Sequence, residues 1–178
     1  IASKYKNIKS HLLSTSGIFN YNDNIYDYAR LGLSIYGISS LGEINNNFKP
    51  VMQMKASIKL IKNIKKGESL GYGSTYTAEK NMLVALIQCG YADGIPLSFS
   101  NNGYVEFKDK IFPILGRISM DLTCIMIDET IQLFDEVTLW GGYNKKMRLE
   151  TISKKHSLIP YVFLTNLSNR VKRVYINE

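Results

Sequence analysis

The sequence predicts a mainly β fold, a barrel or sandwich of short strands with short helices near its C-terminal end. Three observations carry that prediction. Residues 51–64 alternate, with Met52, Met54, Ala56, Ile58 and Leu60 on one parity and Gln53, Lys55, Ser57 and Lys59 on the other. This period of two marks a half-buried strand. Further short apolar runs follow, each bounded by turn residues. The period lengthens only after Arg148, where Leu149, Ile152, Lys155 and His156 suit one short helix.

The elements follow in order. Residues 9–13 read as a short strand ending at Ser14-Thr15-Ser16-Gly17, and Asn22-Asp23-Asn24 reads as a turn or helix start. Residues 29–37 read as a strand with Gly32 and Gly37 inside and at its end, and a strand glycine marks close backbone approach. Residues 39–50, with Asn45-Asn46-Asn47 and Pro50, form a linker by composition. Beyond the alternating strand, Lys66-Gly67-Glu68 turns the chain and residues 83–89 make a more buried strand. Asn101-Asn102-Gly103 and Lys108-Asp109-Lys110 flank a strand at 104–107. Runs at 111–115, 122–127 and 136–140 complete the set, Pro160 opens a second helix at its first position, and residues 171–176 read as a closing strand.

Composition bounds the function. The 178 residues are 45% hydrophobic, enough for a sizeable core. The opening Ile1-Ala2-Ser3-Lys4 is neither a signal peptide nor a tag, and reads as the interior of a longer protein. No apolar run approaches a membrane span, which points to a soluble protein in the cytoplasm. Cys89 and Cys124 lie in apolar runs with no metal spacing and read as buried free thiols. His11 and His156 are also spaced unlike metal ligands, so no metal is expected, and His156 reads as helix surface. The net charge of +7 comes from scattered lysines and arginines rather than a focused stripe with aromatics, which argues against nucleic acid.

Four segments place glycine and polar groups beside strands, where core would otherwise continue. They are Arg30-Leu31-Gly32-Leu33, Gly71-Tyr72-Gly73-Ser74-Thr75-Tyr76, Gly90-Tyr91-Ala92-Asp93-Gly94 and Gly116-Arg117-Ile118-Ser119-Met120-Asp121. Each alone is weak, and the third could be an ordinary turn. With Asn101-Asn102-Gly103-Tyr104-Val105, Ile159-Pro160-Tyr161 and Arg170-Val171-Lys172-Arg173, in this order, the chain resembles the alanine racemases over essentially its whole length.

That resemblance implies a (β/α)8 barrel that binds pyridoxal 5'-phosphate, followed by a β-rich C-terminal domain. A barrel alone takes about 250 residues. Residues 1–45 therefore match the last elements of the barrel and residues 46–178 the β domain. The family's cofactor-carrying lysine has no counterpart here, so this chain alone is expected to be inactive. The resemblance further implies a homodimer with shared active sites and a two-base mechanism. Tyr91 matches the tyrosine base, acting on the partner's cofactor. Arg30 matches the arginine facing the pyridine nitrogen. Thr15, Gly32, Leu33 and Tyr161 match the phosphate contacts, although Thr15 and Ser14 stand where serine and asparagine are commoner. Met120 matches the residue whose N–H meets the substrate carboxylate, with Asp121 beside it.

Other departures are Ser119 for cysteine, Val162 for glutamate and Lys172 for proline. Tyr161 favours alanine, since related serine racemases tend to carry asparagine there. The stretch from His11 to Tyr21, however, resembles those membrane-linked serine racemases, which keeps serine as an alternative substrate. A non-catalytic basic β-barrel binding module is the alternative of another class.

Overall fold

The computed structural model describes residues 4, 7–21 and 26–176. The opening at residues 1–3, 5 and 6 and the turn expected at Asn22-Asp23-Asn24 lie outside the described residues.

The chain begins with β1 (His11–Ser14), α1 (Thr15–Asn20) and β2 (Tyr28–Arg30). β1 and β2 pair in parallel, with α1 in the crossover between them, the connection that parallel strands require. The strand expected across 29–37 is shorter than its apolar content implied. It stops at Arg30, and residues 33–36 coil into a 3₁₀ turn. Gly37 closes that turn at φ 69°, and a Cβ there would lie 1.7 Å from the Lys49 carbonyl oxygen. The linker is irregular but anchored. The Ser39 N–H donates to Glu150 at 3.0 Å, and Arg148 donates to the carbonyls of Gly37 and Phe48. Arg148 and Glu150 are themselves a buried ion pair at 2.7 Å.

From there the sheet builds up through β3 (Gln53–Ile64), the small ribbon β4 (Ser69–Leu70) and β5 (Tyr76–Thr77), then β6 (Met82–Ile87). The strands β7 (Tyr104–Phe107), β8 (Lys110–Leu115), β9 (Thr123–Ile127) and β10 (Glu136–Gly141) follow. Six of them close into an antiparallel barrel in the order β10-β3-β6-β9-β8-β7. Each contributes to one core, with Ile58, Ile87, Val105, Ile114, Ile125 and Val137 buried almost completely. The turn between β7 and β8 uses Lys108 and Asp109 at φ 48° and 65°, the positive pair that a two-residue hairpin needs.

The predicted alternation in β3 holds through Met54, Ala56 and Ile58 and then breaks. The β3–β6 register shifts between Ile58 and Leu60, so Leu60 turns outward, 49% exposed, while Ile64 returns to the interior. Such a bulge bends and twists the strand, as closing a barrel demands.

Two helices cover one side, α2 (Leu149–Lys155) and α3 (Pro160–Thr165). Phe163 on α3 is fully buried, edge-on to Trp140 and tilted against Phe99. His156 is not on a helix surface as its spacing implied. It is buried, stacked on Phe99 at 4.3 Å, with Nδ1 3.2 Å from the Ser98 carbonyl. Burial lowers its pKa, the neighbouring Lys155 charge adds to that, and the Ser98 contact opposes it. The expected strand at 171–176 does not form. A closed barrel offers no free edge, and Arg173 instead folds back on the carbonyls of Val171 and Leu167. No helix among the described residues is long and apolar enough to cross a membrane.

Candidate active site

The site residues fall into two groups. The first gathers around β1, α1 and the 3₁₀ turn. Thr15 is buried at the start of α1, where its Oγ1 lies 3.0 Å from Ser34 Oγ and accepts the Gly32 N–H at 3.3 Å. Ser14 is exposed, so the hydroxyl in this cluster is that of Thr15. Gly32 is required by close approach, because a Cβ there would lie 2.2 Å from Tyr161 Oη. Gly32 thus lets α3 bring the Tyr161 hydroxyl to the same point. Leu33 is buried and opens the 3₁₀ turn, whose first amides have no acceptor within the turn. Ser34 joins this cluster although its sequence context, an apolar stretch, gave no sign of it.

Arg30 ends β2 on the exposed side. Its Nη1 lies 2.8 Å from His11 Nδ1 and its Nη2 donates to the Leu12 carbonyl at 3.0 Å. No carboxylate lies within ion-pair distance of it among the described residues. The guanidinium is therefore oriented by a ring nitrogen and a carbonyl, with no counter-charge beside it among the described residues.

The second group surrounds residues 116–122. Ser119 closes a tight turn with Leu122 through both backbone and hydroxyl, placing Met120 and Asp121 at its tip. The hydroxyl gives Ser119 a definite structural task at the position where cysteine is commoner. Residues 90–94 pack onto this turn. Tyr91 N–H donates to the Ser119 carbonyl and Ala92 N–H to the Met120 carbonyl, both at 3.1 Å. Gly90 is extended, so its backbone is not strained. A Cβ on it would nevertheless lie 2.3 Å from the Ser119 oxygen and 2.4 Å from the Met120 oxygen. Asp93 caps its own loop, accepting the Gly90 N–H at 2.9 Å.

The consequence is directional. Across a trans peptide the N–H points opposite to the C=O. With the Ser119 carbonyl held by Tyr91, the Met120 N–H faces away from the loop, and it has no acceptor among the described residues. Arg170 spans this group from the C-terminal segment, 3.2 Å from Asp93 and 2.6 Å from Asp121. Asp121 is thus held by Arg170 at the tip of the turn. Sequence reasoning quoted Arg170 within a motif but gave it no task.

Two tyrosines project beside the same turn. Tyr91 is 48% exposed and Tyr72 is 72% exposed. Tyr72 stands between Gly71 and Gly73, both at positive φ, and a Cβ on Gly71 would lie 2.7 Å from the Arg117 nitrogen. The loop carrying Tyr72 therefore also packs against residues 116–117. Beneath this surface Cys89 is buried. Desolvation raises its pKa to about 12, the Asp93 charge adds to the rise and Arg170 opposes it. Cys124, also desolvated, is raised to about 11. Both stay thiols at neutral pH and are poor nucleophiles.

Comparison with known proteins bears on the family of the chain. The family described as "Alanine racemase, C-terminal domain" matches residues 51–175. The alanine racemase of Vesicomyosocius okutanii is 40% identical over 170 residues, covering 95% of this chain and 48% of that protein. The alanine racemase of Coxiella burnetii is 33% identical over 177 residues, with 94% and 48% covered. The crystal structure of alanine racemase from Bartonella henselae with covalently bound pyridoxal phosphate superposes with a TM-score of 0.89 at 32% identity, covering 98% of this chain and 49% of that one. The enzyme from D-cycloserine-producing Streptomyces lavendulae gives 0.87 at 30% identity, with 96% and 46% covered. The chain spans about half the length of the curated relatives it matches. From the matched residues and the shared fold, the chain belongs to the alanine racemase family.

Proposed function

We propose that this chain is the C-terminal part of a pyridoxal 5'-phosphate-dependent racemase that interconverts L- and D-alanine, working as a homodimer in the cytoplasm. Residues 1–45 belong in this reading to the cofactor-binding barrel and residues 46–178 to the β domain. The parallel β1-α1-β2 unit, set against the antiparallel barrel that starts at β3, supports that division.

The observation that carries the activity is the Ser119–Met120 peptide. Its carbonyl is fixed by Tyr91 and its N–H has no acceptor among the described residues. A fixed, unsatisfied N–H is what a substrate carboxylate needs for orientation. The other group fits the cofactor. Thr15, Ser34 and Tyr161 bring hydroxyls to one point beside the Gly32 amide, which donates to Thr15, with no acidic side chain among them, a set suited to a phosphate. Arg30 offers only donors and does not give up its proton, so facing the pyridine nitrogen it would keep that nitrogen unprotonated. When bound, the cofactor withdraws electrons from Cα and makes its proton removable.

Racemisation needs a base on each face of Cα. One is a lysine in the part of the protein outside these 178 residues. The other is a tyrosine of the surface beside Met120. Sequence resemblance assigns Tyr91. Exposure favours a second reading, in which Tyr72 is the base and Tyr91 mainly holds the Ser119 carbonyl. A base serving the partner's cofactor has to be accessible on its own subunit, and Tyr72 is the more exposed of the two. Tyr161, with its hydroxyl over Gly32, supports alanine over the bulkier serine.

Full-length Tyr72→Phe and Tyr91→Phe, assayed with L-Ala and L-Ser, test these statements. Loss of ~10²-fold or more in kcat in one variant identifies the base. Wild-type rates in both would sink the tyrosine mechanism, and a marked preference for L-Ser would overturn the substrate.

A further inference from the structure

The motif at residues 170–173 has no task in the reaction as proposed, yet Arg170 occupies a singular place. Its guanidinium joins two loops that, among the hydrogen bonds and ion pairs of the described residues, are otherwise linked through the Tyr91 and Ala92 amides. Nε lies 3.2 Å from Asp93 Oδ1, and Nη2 lies 2.6 Å from Asp121 Oδ1. The other oxygen of Asp93 accepts the Gly90 N–H at 2.9 Å. Asp93 therefore transmits the grip of Arg170 to the loop that carries the Tyr91 and Ala92 amides, while Asp121 is the residue next to Met120. Those amides in turn hold the carbonyls on either side of Met120.

We infer that Arg170 is a positioning residue for substrate binding: bridging Asp93 and Asp121, it locks the 90–94 loop against the Ser119–Leu122 turn and so aims the Met120 N–H at the substrate carboxylate. The inference rests on the racemase reading and names a residue that the reading leaves without a part. Charge alone does not account for the arrangement. The planar guanidinium donates to Asp121 while setting its charge beside Asp93, so that one side chain bridges carboxylates on separate loops, and a lysine ammonium lacks that planar breadth. Arg170 touches neither the cofactor cluster nor a candidate base among its hydrogen-bonded and ionic contacts. Its loss should therefore act on binding rather than on proton transfer.

The test uses the whole protein with its cofactor. Arg170→Ala and Arg170→Lys are compared with wild type for kcat and KM, and for binding of propionate, which is alanine without its amino group, by calorimetry. The expected result is a rise of about tenfold or more in KM and in the propionate Kd, with kcat changed far less, since loosening a positioned donor by a fraction of an ångström has effects of this order. Arg170→Lys, which keeps the charge and the fold, shows the same split. Unchanged KM and propionate affinity in both variants would overturn the clamp, as would a fall in kcat with KM unaltered. Failure of the wild-type protein to racemise alanine would overturn the racemase reading instead, and the propionate titration would still decide the role of Arg170.

Discussion

Gly90→Ala isolates the link between the 90–94 loop and Met120. The backbone at Gly90 is extended, with φ −143°, so alanine meets no conformational penalty there. The cost is contact alone. The new Cβ would sit 2.3 Å from the Ser119 oxygen and 2.4 Å from the Met120 oxygen, against about 3.3 Å for an unstrained C···O approach. Relief requires the loop to move back by roughly 1 Å, because both obstacles are backbone. The same motion stretches the Tyr91 and Ala92 hydrogen bonds, now 3.1 Å each, beyond bonding range. Two lost bonds amount to about 1–3 kcal/mol of stability. A displacement of ~1 Å at a substrate-positioning group lowers kcat/KM by up to about 10²-fold. Urea denaturation of the full-length protein reads the first effect, and initial rates over a range of L-Ala the second. Gly67→Ala serves as the contrast, since that glycine has φ 89° and nothing within 4 Å of a new Cβ. It should cost about 1–2 kcal/mol from its left-handed backbone and leave KM unchanged. A Gly90→Ala enzyme with wild-type stability and KM would refute the coupling of this loop to the Met120 amide.

Two further outcomes follow from other parts of the molecule. Glu150→Gln leaves Arg148 buried without its counter-charge and should destabilise the protein by about 3–5 kcal/mol in chemical denaturation. Burial raises the Glu150 pKa, but Arg148 and the Ser39 N–H outweigh it and the net shift is downward; the pair's contribution is thus complete above the unfolded carboxylate pKa and is lost as pH falls through the lower folded value. Thr15→Val keeps the shape of the residue and removes the hydroxyl that meets Ser34 and Gly32. It should weaken pyridoxal 5'-phosphate retention by about tenfold in dialysis, corresponding to one hydrogen bond to a charged group.

Much of the barrel was legible because its strands are two-sided and keep their alternation, as β7, β8 and β9 do. The exceptions share a cause. The outward turn of Leu60 comes from a bulge required by closure, and the absent strand at 171–176 reflects a barrel already closed through the β7–β10 pair. Neither is encoded locally. The glycine-flanked loops were visible because close approach demands glycine at fixed positions, as at Gly32 and Gly90. The partners of those loops were not. Arg170 reaches Asp121 across 49 residues of sequence, and the Thr15–Ser34 contact spans 19. Such pairings are decided by the topology that folds α3 and the C-terminal segment back over the barrel. His156 was misplaced for the same reason, since its periodicity on α2 said nothing of Phe99.

The two groups of site residues lie at opposite ends of α3, and the proposed homodimer lets each serve a different site. Near the helix start, Tyr161 brings its hydroxyl to Gly32, and just past its end the Asn166 carbonyl would lie 2.5 Å from a Cβ on Gly94. Six residues of helix separate these ends by about 9 Å, so the cofactor contacts and the tyrosine surface are distinct parts of one protomer. If the tyrosine surface serves the neighbour's site, as in the proposed homodimer, a two-fold dimer holds two such composite sites. Complementation decides it. A variant with a damaged cofactor cluster, Gly32→Val, and one lacking the tyrosine base, Tyr72→Phe or Tyr91→Phe as the single variants direct, are each inactive as homodimers. After dissociation and random reassociation at equal amounts, half of the dimers are mixed, and each mixed dimer carries one intact site and one doubly damaged site. Activity should return to about one quarter of wild type. If each protomer completed its own site, both variants would stay inactive in every combination, and no recovery on mixing would refute the shared site.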